Sequence, residues 1–136
     1  MKRNKRSKKH NLNYDQHIIE ALNILKMPII GVDGLEFSIR KEARDESGVE
    51  HIARKCHRLK ARDIEIIPSI LKHPKFKCHD PDNHIYKNYY GIRLGEDQNS
   101  FIKIVTSPIK TNRRKEEIVT IYPTNSIKVE KGKKKR

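Results

Sequence analysis

The sequence predicts an α+β fold in which N-terminal helices pack on one face of a roughly four-stranded antiparallel meander sheet. Three observations predict it. Apolar residues recur at helical spacing in the first part of the chain, and after Pro74 the pattern switches to alternating, strand-like segments separated by turn residues. The chain has 136 residues, 35% of them hydrophobic and none of them Trp, which leaves room for one small core. No stretch approaches the ~18 consecutive apolar residues that a membrane span requires.

The elements follow in order. Tyr14, Ile18, Leu22 and Leu25 recur at helical spacing between Asn13 and Lys26, and Pro28 follows, so a first helix is expected there. Ile29 and Ile30, the Asp33-Gly34 pair, and Leu35, Phe37 and Ile39 in alternation predict a short hairpin. Ser47-Gly-Val-Glu50 has the form of a capping box and predicts a helix to about Leu59, with Val49, Ile52, Ala53, Cys56 and Leu59 as its apolar stripe. His51, Lys55, Arg58 and Arg62 would then form a cationic stripe beside it. A further short helix is expected over Asp63–Leu71, with Asp63 as N-cap, Pro68 as a break and Pro74 closing the segment. Strands are expected at Lys75–Cys78, Ile85–Leu94, Phe101–Thr106 and Glu117–Tyr122. Alternation puts Val119 and Ile121 on one face of the last strand and Ile118, Thr120 and Tyr122 on the other. On the preceding strand Ile102 and Ile104 oppose Phe101, Lys103 and Val105, so Lys103, Thr120 and Tyr122 are expected on the face away from the helices.

The net charge of +14 is unevenly placed. Met1–Lys9 carries six Lys/Arg and no acid, and Lys128–Arg136 carries six against Glu130. The first 12 residues are nearly devoid of apolar side chains and are expected to order only on binding. The body between the arms is only mildly basic. The basic start runs into Asn11, Asn13, Asp15 and Gln16 rather than an apolar segment, so it does not read as a secretory signal, and a cytoplasmic protein is expected. Cys56 and Cys78 show no paired spacing, so reduced thiols are expected.

Three basic clusters point to nucleic acid: the arms, Ala53–Arg62, and Lys110–Lys115 with Arg113 and Arg114. Tyr86, Tyr89 and Tyr90 are candidates for stacking on unpaired bases. The competing reading is a solubilising surface with tyrosines half-buried in a sheet. His51 and His57 carry the sharper chemistry, because imidazoles beside cations can do acid–base work near neutral pH. Lys103 or Arg93 would offset charge developing on a phosphorane-like transition state, and such a site needs no metal or other cofactor. The alternative is that both histidines merely flank a packed helix and that Thr120 is an ordinary strand residue. Cys56-His57, Cys78-His79, Asp80, Asp82 and His84 offer metal-ligand types, but Asp80-Pro-Asp-Asn83 has the composition of a turn and the Cys-His pairs match no zinc spacing.

From about Val49 to Thr124 the chain resembles the phage-associated branch of the BECR nucleases, the barnase, EndoU, colicin and RelE-like fold. The resemblance rests on His51-Ile-Ala-Arg-Lys-Cys-His57, on Asp63-Ile-Glu-Ile-Ile-Pro68 followed by Ile70-Leu-Lys-His-Pro74, and on Ile118-Val-Thr-Ile-Tyr-Pro123. It implies a metal-independent endoribonuclease-like domain, often a toxin, of mobile-element or prophage origin, that cleaves RNA by attack of the ribose 2′-OH. By the resemblance the catalytic residues would be His51, His57, Lys103 and Thr120. The nucleic-acid-binding residues are expected to be Lys55, Arg58, Lys87, Arg93, Arg113, Arg114 and Tyr122. The organisation expected is a basic arm at 1–12, a helix-and-hairpin extension at 13–40, the BECR-like nuclease domain at 41–125 and a basic tail at 126–136. RNA, as tRNA or mRNA, is the expected partner, with an acidic antitoxin or immunity protein as a second one and no membrane. The alternative is a non-catalytic nucleic-acid-binding accessory protein of a phage or conjugative element, and a phage or plasmid structural protein is a third reading.

Overall fold

A computed structural model of the chain describes residues 14–40, 48–54, 57–95 and 100–125. Both basic arms, Ser47, the Glu50 side chain, Lys55 and Cys56 lie outside the described residues. The first helix, α1 (Gln16–Ile24), is shorter than its apolar pattern. Asp15 caps it, its carboxylate accepting from the His17 N–H at 2.9 Å, and Ile18 and Leu22, one turn apart, are buried. The hairpin of β1 (Ile29–Ile30) and β2 (Glu36–Ile39) reverses at Asp33 and Gly34, whose φ angles are 58° and 73°. Two consecutive residues at positive φ give the turn a twist that matches the strands, which is why Asp-Gly marks it.

The next helix differs from expectation. α2 is only Val49–Ile52, and the chain leaves it at Ala53. Arg54 pairs with Tyr14, and Arg58 adopts φ 57°, a left-handed conformation incompatible with a continuing helix. A single helical stripe of His51, Lys55, Arg58 and Arg62 therefore does not form. The segment expected as one helix is two, α3 (Ala61–Glu65) and α4 (Ile67–Lys72), with Pro68 in the first turn of α4, where its missing N–H removes no helical bond. Asp63 lies inside α3 rather than at its N-cap, and its carboxylate accepts from the Lys60 N–H at 2.7 Å.

The strands are β3 (Phe76–His79), β4 (Lys87–Ile92), β5 (Phe101–Ile109) and β6 (Asn112–Thr124), in the spatial order β1-β2-β6-β5-β4-β3. The α+β class holds, but the sheet has six strands and is mixed rather than four-stranded and antiparallel. The N-terminal hairpin causes the difference: β2 pairs in parallel with β6 from Glu36↔Lys115 to Ile39↔Ile118, and β1 pairs antiparallel with β2. Phe37 and Ile39 are thereby buried in the same core as Ile118, so the hairpin is an integral part of the sheet. The turn between β5 and β6 is confined to Lys110 and Thr111, which puts Arg113, Arg114 and Lys115 on a strand instead of in a loop.

A bulge overturns part of the expected facing. Val105 pairs with Thr120 and Thr106 with Ile118, leaving Val119 as the extra residue on β6. Ile118 and Ile121 consequently both join the helix-facing core, although they are three positions apart. The expectation had put Ile118 on the opposite face. Bulges also bend strands, and this sheet is strongly curled. The Phe37 and Tyr89 ring centroids are 5.3 Å apart, although two strands separate theirs and a flat sheet would hold them about 14 Å apart. Lys77 on the β3 edge reaches Asp33 in the first hairpin at 2.8 Å. The helices occupy the concave side, where Ile67, Ile70 and Leu71 of α4 are buried and Ile70 sits against Gly91 of β4. Lys103, Thr120 and Tyr122 belong to the convex side.

Candidate functional site

The site is built on an edge of β6. Beyond Ile118 this strand has lost its β2 partner, and its outward carbonyls are taken by the segment around α2. The Gly48 N–H donates to Val119 O at 2.9 Å, and His57 Nδ1 lies 3.2 Å from Ile121 O. A carbonyl only accepts, so in the neutral imidazole Nδ1 carries the proton and Nε2 bears the lone pair. These contacts bring both histidines to the end of β6 despite the short helix. The His51 and His57 rings stand edge to face with centroids 4.8 Å apart, and His57 is 6.1 Å from the ring of Tyr122.

Cross-strand pairing completes the group. Tyr90, Lys103 and Tyr122 are direct neighbours on β4, β5 and β6, so they share the convex face in one row. The Lys103 ammonium lies 5.2 Å from the Tyr122 centroid and 5.9 Å from that of Tyr90, within cation–π range. Asp80 is 3.9 Å from the same ammonium. Its carboxylate also accepts from the Asp82 and Asn83 N–H groups and from the Asn88 amide, each at 3.0 Å, which pins the 80–86 turn against the face.

His57 is partly buried, and its pKa is lowered. Burial is the main cause and the Arg54 charge adds to it, while the carbonyls of Ile121 and Ile52 oppose both. The neutral form of the ring is therefore the one the fold favours. A neutral imidazole, a second imidazole, a phenol and an ammonium at one strand end can accept a proton, donate one and offset an anionic charge.

Of the four expected catalytic residues, His57 and Lys103 each neighbour the Tyr122 ring, and His51 adjoins His57. Thr120 lies on the same convex face one row away, its hydroxyl buried and without a hydrogen-bond partner among the described residues. Lys55 is outside the described residues, and Arg58 is exposed close to His57 in sequence. Arg93 is not in the group. Its guanidinium grips Asp63 through Nε–Oδ1 at 3.0 Å and Nη2–Oδ2 at 2.9 Å, and also donates to the Arg58 carbonyl at 2.9 Å. Lys87 is on the concave side, paired at 2.7 Å with buried Glu116, which also accepts from the hydroxyls of Tyr89 and Thr106. Tyr89 is thus a core residue and is closed to stacking; burial, followed by Glu116, raises its pKa. Arg113 and Arg114 are exposed at the start of β6, and the paired β5 residues, Lys103 opposite Tyr122 and Ile109 opposite Asn112, put that end of the strand about 20 Å from Tyr122.

Asp80 was not among the expected site residues. Its signal was the Asp-Pro-Asp-Asn turn itself, whose side-chain-to-backbone bonds are typical of Asp at a turn, but sequence alone does not say which face such a turn covers. Among the described residues no three His, Cys, Asp or Glu side chains are grouped as metal ligands, and no helix is long and apolar enough to cross a membrane. Compared with protein-family models, curated proteins and solved structures, the chain matches none.

Proposed function

We propose that this protein is a metal-independent endoribonuclease-like domain that cleaves RNA by attack of a ribose 2′-OH on the adjacent phosphate. The observation that carries the reading is the row of neighbouring side chains His51, His57, Tyr122 and Lys103 at one end of β6. Nε2 of His57 takes the 2′-OH proton as O2′ bonds to phosphorus. The phosphorus–O5′ bond breaks, and the departing 5′ oxygen takes a proton from the imidazolium of His51. The products are a 2′,3′-cyclic phosphate and a free 5′-OH. Lys103 offsets the negative charge gathering on the phosphoryl oxygens, and Tyr122 offers its ring to a flanking base. Within the mixed sheet β3 to β6 are consecutive antiparallel neighbours with helices on one side, an arrangement compatible with the BECR-like reading of the fold.

A binding-only role is the second reading, and Thr120 favours it, because its buried hydroxyl makes no hydrogen bond to the other candidates. Incubation with tRNA and mRNA in EDTA separates the two. The nuclease reading predicts fragments with the wild type and at least a hundredfold loss of rate in His57→Ala. Intact RNA at every protein ratio, or cleavage unchanged when both histidines are alanine, would overturn it. Salt-sensitive binding with no product would leave the accessory-protein reading standing.

A further inference from the structure

Beyond Lys103 and Tyr122 the convex face continues for one more row of side chains. Phe101 pairs with Thr124 of β6 on one side and with Ile92 of β4 on the other. Ile102 and Ile104 are buried among the helices, so alternation turns Phe101 to the same face as Lys103. Phe101 is partly exposed and Ile92 is 50% exposed, which leaves an apolar patch at this end of the sheet. Single exposed apolar side chains need no explanation, but this pair adjoins a phenol, an ammonium and two imidazoles.

Cations border the patch. The chain from His57 to Asp63 crosses this end of the sheet, tied to β6 by the His57–Ile121 contact and to β4 by the bonds from Arg93 to the Arg58 carbonyl and to Asp63. Arg58, Lys60 and Arg62 are exposed along it, and the Arg62 guanidinium lies against Gly95, three residues past Ile92. Aromatic rings on a sheet with cations along its border match the chemistry of a nucleic-acid strand, in which flat bases are joined by phosphates. A purely apolar partner would have no use for the cations.

We infer that Phe101 is a second base platform beside Tyr122, so that this surface takes two consecutive unpaired nucleotides of an RNA strand, with Arg58 and Lys60 at their phosphates. The inference rests on the ribonuclease reading and deepens it by naming the substrate class, single-stranded RNA. Spacing carries it. Phe101 and Tyr122 are diagonal neighbours on adjacent strands, about 7–8 Å apart at the backbone and within reach of aromatic side chains. Successive bases in a duplex strand are about 3.4 Å apart. Bases resting on both rings are therefore pulled out of their mutual stack, and a base-paired strand does not fit.

The test uses the full chain and a fluorescein-labelled 2′-O-methyl oligoribonucleotide of about 12 nucleotides, single-stranded or annealed to its complement, which lacks the attacking hydroxyl and cannot be cleaved. Phe101→Ala is expected to weaken single-strand binding at least fivefold, while Phe101→Tyr, which keeps the ring, stays within about twofold of wild type. Phe101→Leu keeps apolar bulk on the sheet but loses the ring, so it should bind as poorly as Phe101→Ala even where the alanine variant is less stable. No phosphate contact is lost in these variants, so the slope of log affinity against log salt should not change. Arg58→Gln with Lys60→Gln should flatten that slope by about 1.4, the value for two phosphate contacts on a single strand. The duplex is expected to bind at least tenfold more weakly than the single strand and to be indifferent to Phe101→Leu. The inference is overturned if Phe101→Leu, folded by thermal unfolding, binds the single strand as the wild type does, or if it loses as much on the duplex. It is also overturned if Phe101→Leu binds RNA normally and sediments at half the wild-type mass, which would assign the patch to a contact between copies. Ring-dependent binding of the single strand without cleavage of ordinary RNA would sink the ribonuclease reading and leave the subsite in place. Cleavage of ordinary RNA by wild type and Phe101→Leu alike, with equal affinity for the probe, would do the reverse.

Discussion

Replacing Arg93 by Ala tests whether this residue is a structural clamp or a phosphate contact. Arg93 is 10% exposed and Asp63 is fully buried. The guanidinium makes two bonds to the carboxylate and one to the Arg58 carbonyl, holding β4, α3 and the chain after His57 together. With the arginine gone, the Lys60 N–H is the remaining donor to Asp63 that the geometry identifies, and the carboxylate stays in the core without its counter-charge. Breaking a buried pair in this way costs about 3–5 kcal/mol. For a domain of this size that is a fall in melting temperature of about 10–20 °C. Urea and thermal unfolding followed by circular dichroism would measure it. Arg93→Lys, which keeps the charge but loses the two-pronged geometry, should fall between wild type and Arg93→Ala. Arg93→Met with Asp63→Leu removes both charges and should recover most of the loss. A loss below 1 kcal/mol for Arg93→Ala, with weaker and less salt-dependent RNA binding, would refute the clamp and return Arg93 to the phosphate-binding role.

Three further outcomes follow from the packing. Gly91→Ala places a Cβ 2.8 Å from Ile70 Cδ1 and closer still to Ile70 Cγ1, so it should destabilise by about 1–3 kcal/mol, and by less in an Ile70→Ala background. Glu116→Ala leaves two buried hydroxyls and Lys87 without their shared acceptor; it should lower stability by about 2–4 kcal/mol in urea unfolding, with RNA affinity of the folded protein unchanged. His57 has a folded pKa below its unfolded value, so its neutral form is the one the fold favours. Its contribution to stability is complete above pH 6.5 and is lost as pH falls from there through the folded pKa. Wild type should therefore lose stability over that acidic window more steeply than His57→Gln, as denaturation midpoints across pH 4–8 would show.

Local chemistry was legible in the sequence, and long-range pairing was not. The Ile18–Leu22 spacing, the Asp33-Gly34 turn and the switch to strands after Pro74 act over a few residues, and each appears in the fold. The parallel pairing of β2 with β6 joins residues almost 80 positions apart, and nothing in a four-residue strand announces its partner. The Val119 bulge was illegible for a related reason: alternation assumes an uninterrupted pleat, and one extra residue reverses the facing of everything before it. Apolar spacing beyond Ala53 looked helical, yet Leu59 reaches the core from a chain that has already broken its helix, with Arg58 at positive φ. The expected facing of Lys103 and Tyr122 nevertheless holds, because Tyr122 is C-terminal to the bulge on β6 and its partner Lys103 precedes the register shift on β5, where the alternation is intact. Arg93 and Lys87 looked like surface cations because their acidic partners, Asp63 and Glu116, are 30 and 29 residues away.

The chemistry of the cut ends tests the central claim most directly. A 5′-labelled RNA incubated with the protein in EDTA should give fragments whose mass shows a 2′,3′-cyclic phosphate, with a 5′-OH on the downstream piece. A single 2′-deoxy substitution at the cleaved nucleotide should abolish that cut, and His57→Ala should suppress all of them. Fragments ending in a 3′-OH and a 5′-phosphate, or cleavage that continues at the deoxy position, would contradict attack by the 2′-OH at the His57–Tyr122–Lys103 group.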